Sequence, residues 1–171
     1  MGDLETVTSD SRQAVGEFLT AARAVPGSAW TRPSAPGKWS PGQVTEHVAL
    51  GYELSHAVLR QTYTGWSLPR LLRPLLRRFG LRPILRRGAF GKPGRAPEPL
   101  RPGVSPAPQD ALTARLQACS AALEADLAAA ARTGQTAVDH PFFGRLPLVD
   151  LLRLQVIHAR HHRRQLPGMT G

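Results

Sequence analysis

The chain has 171 residues, 42% of them apolar, enough for one hydrophobic core, and its single cysteine, Cys119, excludes an internal disulfide and a cysteine-based zinc site. Lys and Arg outnumber Asp and Glu by 22 to 12, a surplus that points to an anionic partner: nucleic acid, acidic lipid or a small anion. No run approaches the roughly 18–20 unbroken apolar residues of a membrane span, and the start MGDLETVTSDSR lacks the basic and apolar regions of a secretory signal. These features predict one cytoplasmic domain over residues 1–171.

From Ser9 to Val25 the apolar residues Val15, Phe18, Leu19, Ala22 and Val25 recur at helical spacing, and Pro26 with Gly27 ends the run. Ser40, Pro41 and Gln43 then read as N-cap, first helical residue and reaching-back residue of a capping box. The second predicted helix runs from there to about Thr64, and Val44, His47, Gly51, Leu54 and Val58 mark its inward stripe at steps of three and four.

Residues 66–103 differ from everything around them. They hold nine arginines and Lys92 against one acid, Glu98, so ten minus one gives +9 of the chain's +10. Prolines at 69, 74, 83, 93, 97, 99 and 102 argue against a long helix, although RLLRPLLRRFG allows short amphipathic turns with Leu71, Leu72, Leu75 and Leu76 on one side. The reading is a basic, Pro-rich arm inserted between the second and third main helices, replaceable by a short linker without loss of the fold.

The third predicted helix covers Asp110 to Arg132, with Leu112, Leu116, Leu123 and Leu127 on its apolar face and Gly134 behind it. The fourth opens near Pro147, carries Leu148, Leu151, Gln155, His158, His162 and Gln165 along one stripe, and ends before Pro167 and Gly168. No strand-like alternation of useful length is present. The fold class expected is all-α, an antiparallel four-helix bundle.

His158 and His162 are four apart, so on a helix both rings leave the same face about one turn apart, the spacing by which a helical pair clasps one metal ion. His47 lies on the inward stripe of another helix, and a bundle can bring it to the other two. A lone inward histidine is usually a hydrogen-bonded core residue. An apolar face with two unpaired imidazoles side by side is costly unless something binds them. His161 sits about 100° round the helix from His162 and reads as a flanking or substrate-facing residue. His56 and His140 read as solvated or turn residues, Glu46 as a surface charge, and Trp39 as a lid over the bundle end.

The stretches GKWSPGQVTEHVAL and HPFFGRLPLVDLLRLQVIHARHHRRQL resemble two motifs of the DinB-like proteins, also called DinB/YfiT-like metalloenzymes: the W-S-x6-H entry to the second helix, and the H-P-x-x-G turn followed by a closing H-x-x-x-H-x-x-Q-L helix. The resemblance spans all four predicted helices in order. It implies a four-helix bundle, often a homodimer, with a metal ion on His47, His158 and His162. It also implies, from members with assigned activities, thiol-dependent transfer or isomerisation with bacillithiol or mycothiol. The long basic arm departs from the family's pattern, so its role is not carried over.

Three neutral imidazoles and an open position suit zinc first, with nickel, iron or manganese also accommodated. Such an ion lowers the pKa of a bound thiol or water, giving a thiolate that attacks an electrophile, or a hydroxide and hence a hydrolase. The chain offers no nucleophile of its own, since Cys119 lies among alanines where burial makes a thiol inert. Gln155 or Gln165 can orient a ligating ring from its far nitrogen. The competing class is a non-catalytic metal-binding or stress-related protein whose arm binds nucleic acid, another polyanion or an anionic membrane surface.

Overall fold

In the computed structural model, residues 2–91 and 95–167 are described; Lys92 and Pro93 of the arm, and Gly168 after the last helix, lie outside them. The chain is mostly helical. Its elements are α1 (Gly2–Arg23), α2 (Gly27–Trp30), α3 (Pro41–Leu59), α4 (Arg73–Leu76), a π-helical turn (Arg77–Leu81), α5 (Arg82–Arg87), a 3-10 turn (Glu98–Leu100), α6 (Gln109–Arg132), β1 (Ala137–His140), β2 (Gly144–Pro147) and α7 (Leu148–Arg163). Among the described residues no helix is long and apolar enough to cross a membrane.

The start of α3 follows the sequence closely. Ser40 Oγ accepts from the Gln43 amide, the Gln43 side chain accepts from the Ser40 amide, and Pro41 occupies the first turn, so the donors orphaned at a helix start are satisfied reciprocally. Its end differs from expectation. The helix stops at Leu59 rather than running to about Thr64, because Gln61 takes the left-handed conformation (φ 58°). The amides of Gln61 and Thr62 bond back to the carbonyls of Val58 and Ala57, a complete Schellman closure. The same closure ends α6, with Gly134 at φ 81° and Gly134 and Gln135 bonding back to Ala131 and Ala130. There glycine announced it; a glutamine in that position does not.

α1 packs on α6 and α7, and α3 packs on the same two helices. The buried stripes are those the periodicity picks out: Val15, Phe18 and Ala22 in α1, Val44, His47, Gly51 and Val58 in α3, Leu112, Leu116, Leu123 and Leu127 in α6, and Leu148, Leu151, Gln155, His158 and His162 in α7. Ion pairs stitch the rims, Arg115 to Glu53, Arg160 to Asp10 and Arg163 to Glu17, each worth about 0–1 kcal/mol, and Arg12 reaches the buried Glu124.

Two features were not expected. β1 and β2 form an antiparallel hairpin that pairs Ala137 with Pro147 and His140 with Gly144, too short for its alternation to register in the sequence. His140, read as a solvated or turn residue, is buried, stacks near Phe142 and Phe143, and accepts from the Phe142 amide through Nδ1.

The arm also departs from the reading. From Arg73 to Arg87 the chain is helical without a break, despite Pro74 and Pro83. Pro74 sits in a first turn where no amide is needed. Before Pro83 the helix widens into the π turn, whose Arg82 amide bonds to the Arg77 carbonyl and so shifts the register where proline cannot donate. The arm also packs into the body, where little buried apolar surface was expected. Leu81 is 1% exposed, within the core, and Leu85 and Leu100 pack against that core. The arm's far end is clasped by α3, with Gln43 donating to the carbonyls of Gly103 and Val104 and Glu46 accepting from the Gly103 amide.

Candidate metal centre

Three of the helical stripe residues are histidines that meet across α3 and α7. His47, His158 and His162 are all buried, and each offers a ring nitrogen within 4.8 Å of those offered by the other two. Their ring centroids are 4.5–4.7 Å apart, and the rings stand nearly perpendicular to one another. His158 Nε2 lies 2.9 Å from His47 Nε2. The i,i+4 spacing stacks two rings on α7, and the close packing of α3 supplies the third.

Gly51 permits this approach. A Cβ there would lie 2.9 Å from both His158 Nδ1 and Gln155 Oε1, closer than non-bonded heavy atoms tolerate. Glycine lets the backbone of α3 rest against the imidazole of α7.

The outward nitrogens are held from behind. His47 Nδ1 donates to the carbonyl oxygen of Leu100 at 2.6 Å, and His162 Nδ1 donates to Gln165 Oε1 at 2.9 Å. Each contact places the proton on Nδ1 and leaves the Nε2 lone pair facing the cluster. Because His47 Nε2 is then an acceptor, its contact with His158 needs a positive centre between the nitrogens, either a proton or a cation. Gln155 donates through Nε2 to Ser55 Oγ, while its Oε1 is buried without a hydrogen-bond partner and faces the same point at Gly51 as His158 Nδ1. Without an ion, a neutral His158 donates through Nε2 to His47 Nε2; an ion on that nitrogen would require the proton on Nδ1, the side on which Gln155 Oε1 lies without a partner.

Electrostatics keep the rings uncharged. Burial, then the neighbouring charges of His162 and His47, hold His158 well below the usual imidazole range. Burial and His47 bring His162 down to about 3. Burial also lowers His47, partly offset by its bond to Leu100. Three neutral imidazoles form the donor set that zinc and the later first-row divalent metals accept. The three can hold a metal ion.

Aromatic rings border the cluster. The Trp39 ring is 4.7 Å from that of His47, and Phe90, brought by the arm, lies 6.0 Å from His158 and 5.2 Å from His161. Trp39 thus packs on the histidines, as a lid would, and His161 flanks the cluster beside Phe90. His56 is bonded to Asp126 next to Arg60, away from the cluster. Glu46 is engaged by Gly103 and lies 3.8 Å from Arg115. Burial, with Glu53 nearby, pushes the Cys119 thiol up to about 12, and its sulfur points to the carbonyls of Ala49 and Leu116.

Sequence reasoning did not place Leu100 or Phe90 at the cluster, although Phe90 stands out as an aromatic among the arm's arginines. A backbone carbonyl leaves no residue-type signal, and Phe90 sits among arginines that draw attention to charge. Gly51 did carry a signal, as a glycine on an otherwise apolar inward stripe one turn from His47.

No curated protein and no solved structure matches the chain. The model of the DinB superfamily matches residues 11–166, a span that includes all three histidines, the capping box of α3 and the arm. The chain belongs to the DinB superfamily.

Proposed function

We propose that the chain is a metal-dependent transferase that activates a low-molecular-weight thiol, of the bacillithiol or mycothiol kind, for attack on an electrophile. In this reading His47, His158 and His162 hold one divalent ion, zinc first and nickel, iron or manganese as alternatives. The fold inferred with it is the antiparallel four-helix bundle of DinB-like proteins, one domain with the arm inserted between its second and third long helices.

The observation that supports it best is the set of three neutral imidazoles, two of them with the Nε2 lone pair turned inward by a bond to Nδ1. A divalent ion bound there supplies a Lewis acid that favours thiolate over thiol near neutral pH. The chain's own residues keep the rings unprotonated by burying them. Leu100 and Gln165 fix the ring orientations, and the half-buried rings of Trp39 and Phe90 border the cluster. The nucleophile must arrive with the substrate, because the thiol of Cys119 is held protonated and bonded to backbone carbonyls. Arginines of the arm favour an anionic thiol over a neutral one.

The test is a rate measurement with zinc-loaded protein, a chromogenic aryl halide, and bacillithiol, mycothiol or glutathione in turn. The expected result is acceleration with one thiol that disappears in His158→Ala. No acceleration by any thiol, with the ion demonstrably bound, contradicts the transferase reading and leaves metal binding without this chemistry.

A further inference from the structure

The arm exposes what a folded chain normally hides. Leu71 is 90% exposed, Phe79 70% and Trp66 61%, and Leu72, Leu75 and Leu76 are exposed with them. Isolated exposed leucines need no explanation, whereas several within one short helical segment mark an interaction surface.

These side chains are held outward by what lies behind them. Leu81 is buried and Leu85 packs on the core. Arg73 pairs with Asp139 and donates to the Leu68 carbonyl, and Arg77 donates to the carbonyl of Arg145. Trp66 is set against Phe142, and the Leu68 amide bonds to the Pro141 carbonyl. The inner side of the segment is therefore committed to the body, and the apolar outer side cannot turn inward.

The rim of the patch is cationic. Among the described residues Arg73 is the one arginine of the arm that reaches a carboxylate. Arg70, Arg78, Arg82 and Arg86 are left without an acidic partner, and Arg78 lies over the Phe79 ring.

We propose that this face docks on an anionic phospholipid bilayer, with Leu71, Leu72, Leu75, Leu76 and Phe79 entering the acyl boundary and Arg70, Arg78, Arg82 and Arg86 meeting the headgroup phosphates. Apolar insertion and basic attraction are the two contributions that hold a monotopic surface at a membrane. The segment is already helical and anchored, so docking orders little chain. A second copy of the chain fits less well, since a two-fold contact sets each arm against its equal and would bring unpaired arginines together. A nucleic acid would take the arginines and leave the leucines in water. The proposal is independent of the metal reading, because metal content reports on that site alone.

The full chain is sedimented with vesicles of phosphatidylcholine and with equimolar phosphatidylcholine and phosphatidylglycerol. Binding to the acidic vesicles only, weakened by salt, is expected. The triple variant Leu71→Ser, Leu75→Ser, Phe79→Ser should weaken it at least about tenfold, and Arg78→Gln, Arg82→Gln, Arg86→Gln about a hundredfold. Both variants should melt like the parent. No vesicle binding overturns the proposal. So does a serine variant that binds vesicles normally while the glutamine variant loses both vesicles and duplex DNA, which makes the arm a polyanion site. A parent that light scattering finds dimeric, and a serine variant monomeric, assigns the face to a second copy and overturns it equally.

Discussion

The carbonyl oxygen of Leu100 lies 2.6 Å from Nδ1 of His47, so the arm sets the protonation and orientation of a ring on α3. The same arm buries Leu81 in the core. Its two faces therefore predict opposite responses to truncation. Leu81→Ala should cost about 2–5 kcal/mol of unfolding free energy, through lost burial and the cavity left behind. Leu71→Ala should stay within about 0.5 kcal/mol. Replacing residues 66–103 by a Gly/Ser linker should lower both stability and metal affinity; denaturant unfolding and metal titration on these variants check each part.

Gly51→Ala is the sharpest packing test. In an ordinary helix interior the change would add about 1 kcal/mol of stability. Here the new methyl would sit 2.9 Å from His158 Nδ1 and Gln155 Oε1, so we expect a loss of about 1–3 kcal/mol together with weaker metal binding. A more stable variant with unchanged affinity would mean that α3 and α7 do not approach as described.

Gln165→Ala removes the acceptor behind His162 Nδ1 from a residue that is itself exposed. Stability should hardly change, while metal affinity falls about 10- to 100-fold, the usual loss when a ligand's orienting partner is removed. Calorimetric titration separates the two effects.

The pH dependence follows from the lowered imidazole pKa values. An unfolded chain takes up protons near about 6.5, whereas folded His162 does so at about 3 and His140 at about 4. Between those limits the unfolded state binds more protons, so stability is fully present above about pH 6.5 and is lost as pH falls toward the folded values. Metal-free protein should become less stable in urea at each step from pH 7 to pH 4. Metal affinity should show no break near pH 6.5 of the kind solvated histidines would give, because the folded rings are already neutral there. A roughly thirtyfold loss of affinity between pH 7 and pH 6, which three solvated imidazoles with a pKa of about 6.5 would give, would contradict the burial of the rings.

The helical periods carried most of the fold because burial follows them: the four stripes read from spacing face the core, except for Gln165, which lies beyond the end of α7 and is exposed. The three histidines were legible for the same reason, since placing a charged or polar ring on an apolar stripe twice on one helix and once on another is expensive without a use. What escaped was set by backbone rather than by side-chain pattern. The left-handed turn at Gln61 ends α3 early, and the π turn carries the helix past Pro83. The Leu100 carbonyl reaches His47 across 53 residues. Charge in the arm was visible, but its burial of Leu81 was not, because the arginines on either side of that leucine conceal an inward period.

Whether His47, His158 and His162 bind one ion is decided by calorimetric titration of zinc into chelator-treated full chain at near-neutral pH, with His47→Ala, His158→Ala, His162→Ala and His161→Ala measured beside the parent. The expected result is one ion per chain, a loss of at least about a hundredfold for each of the first three variants, and a change within about twofold for His161→Ala. No saturable binding, or equal losses at His161 and His162, would contradict it.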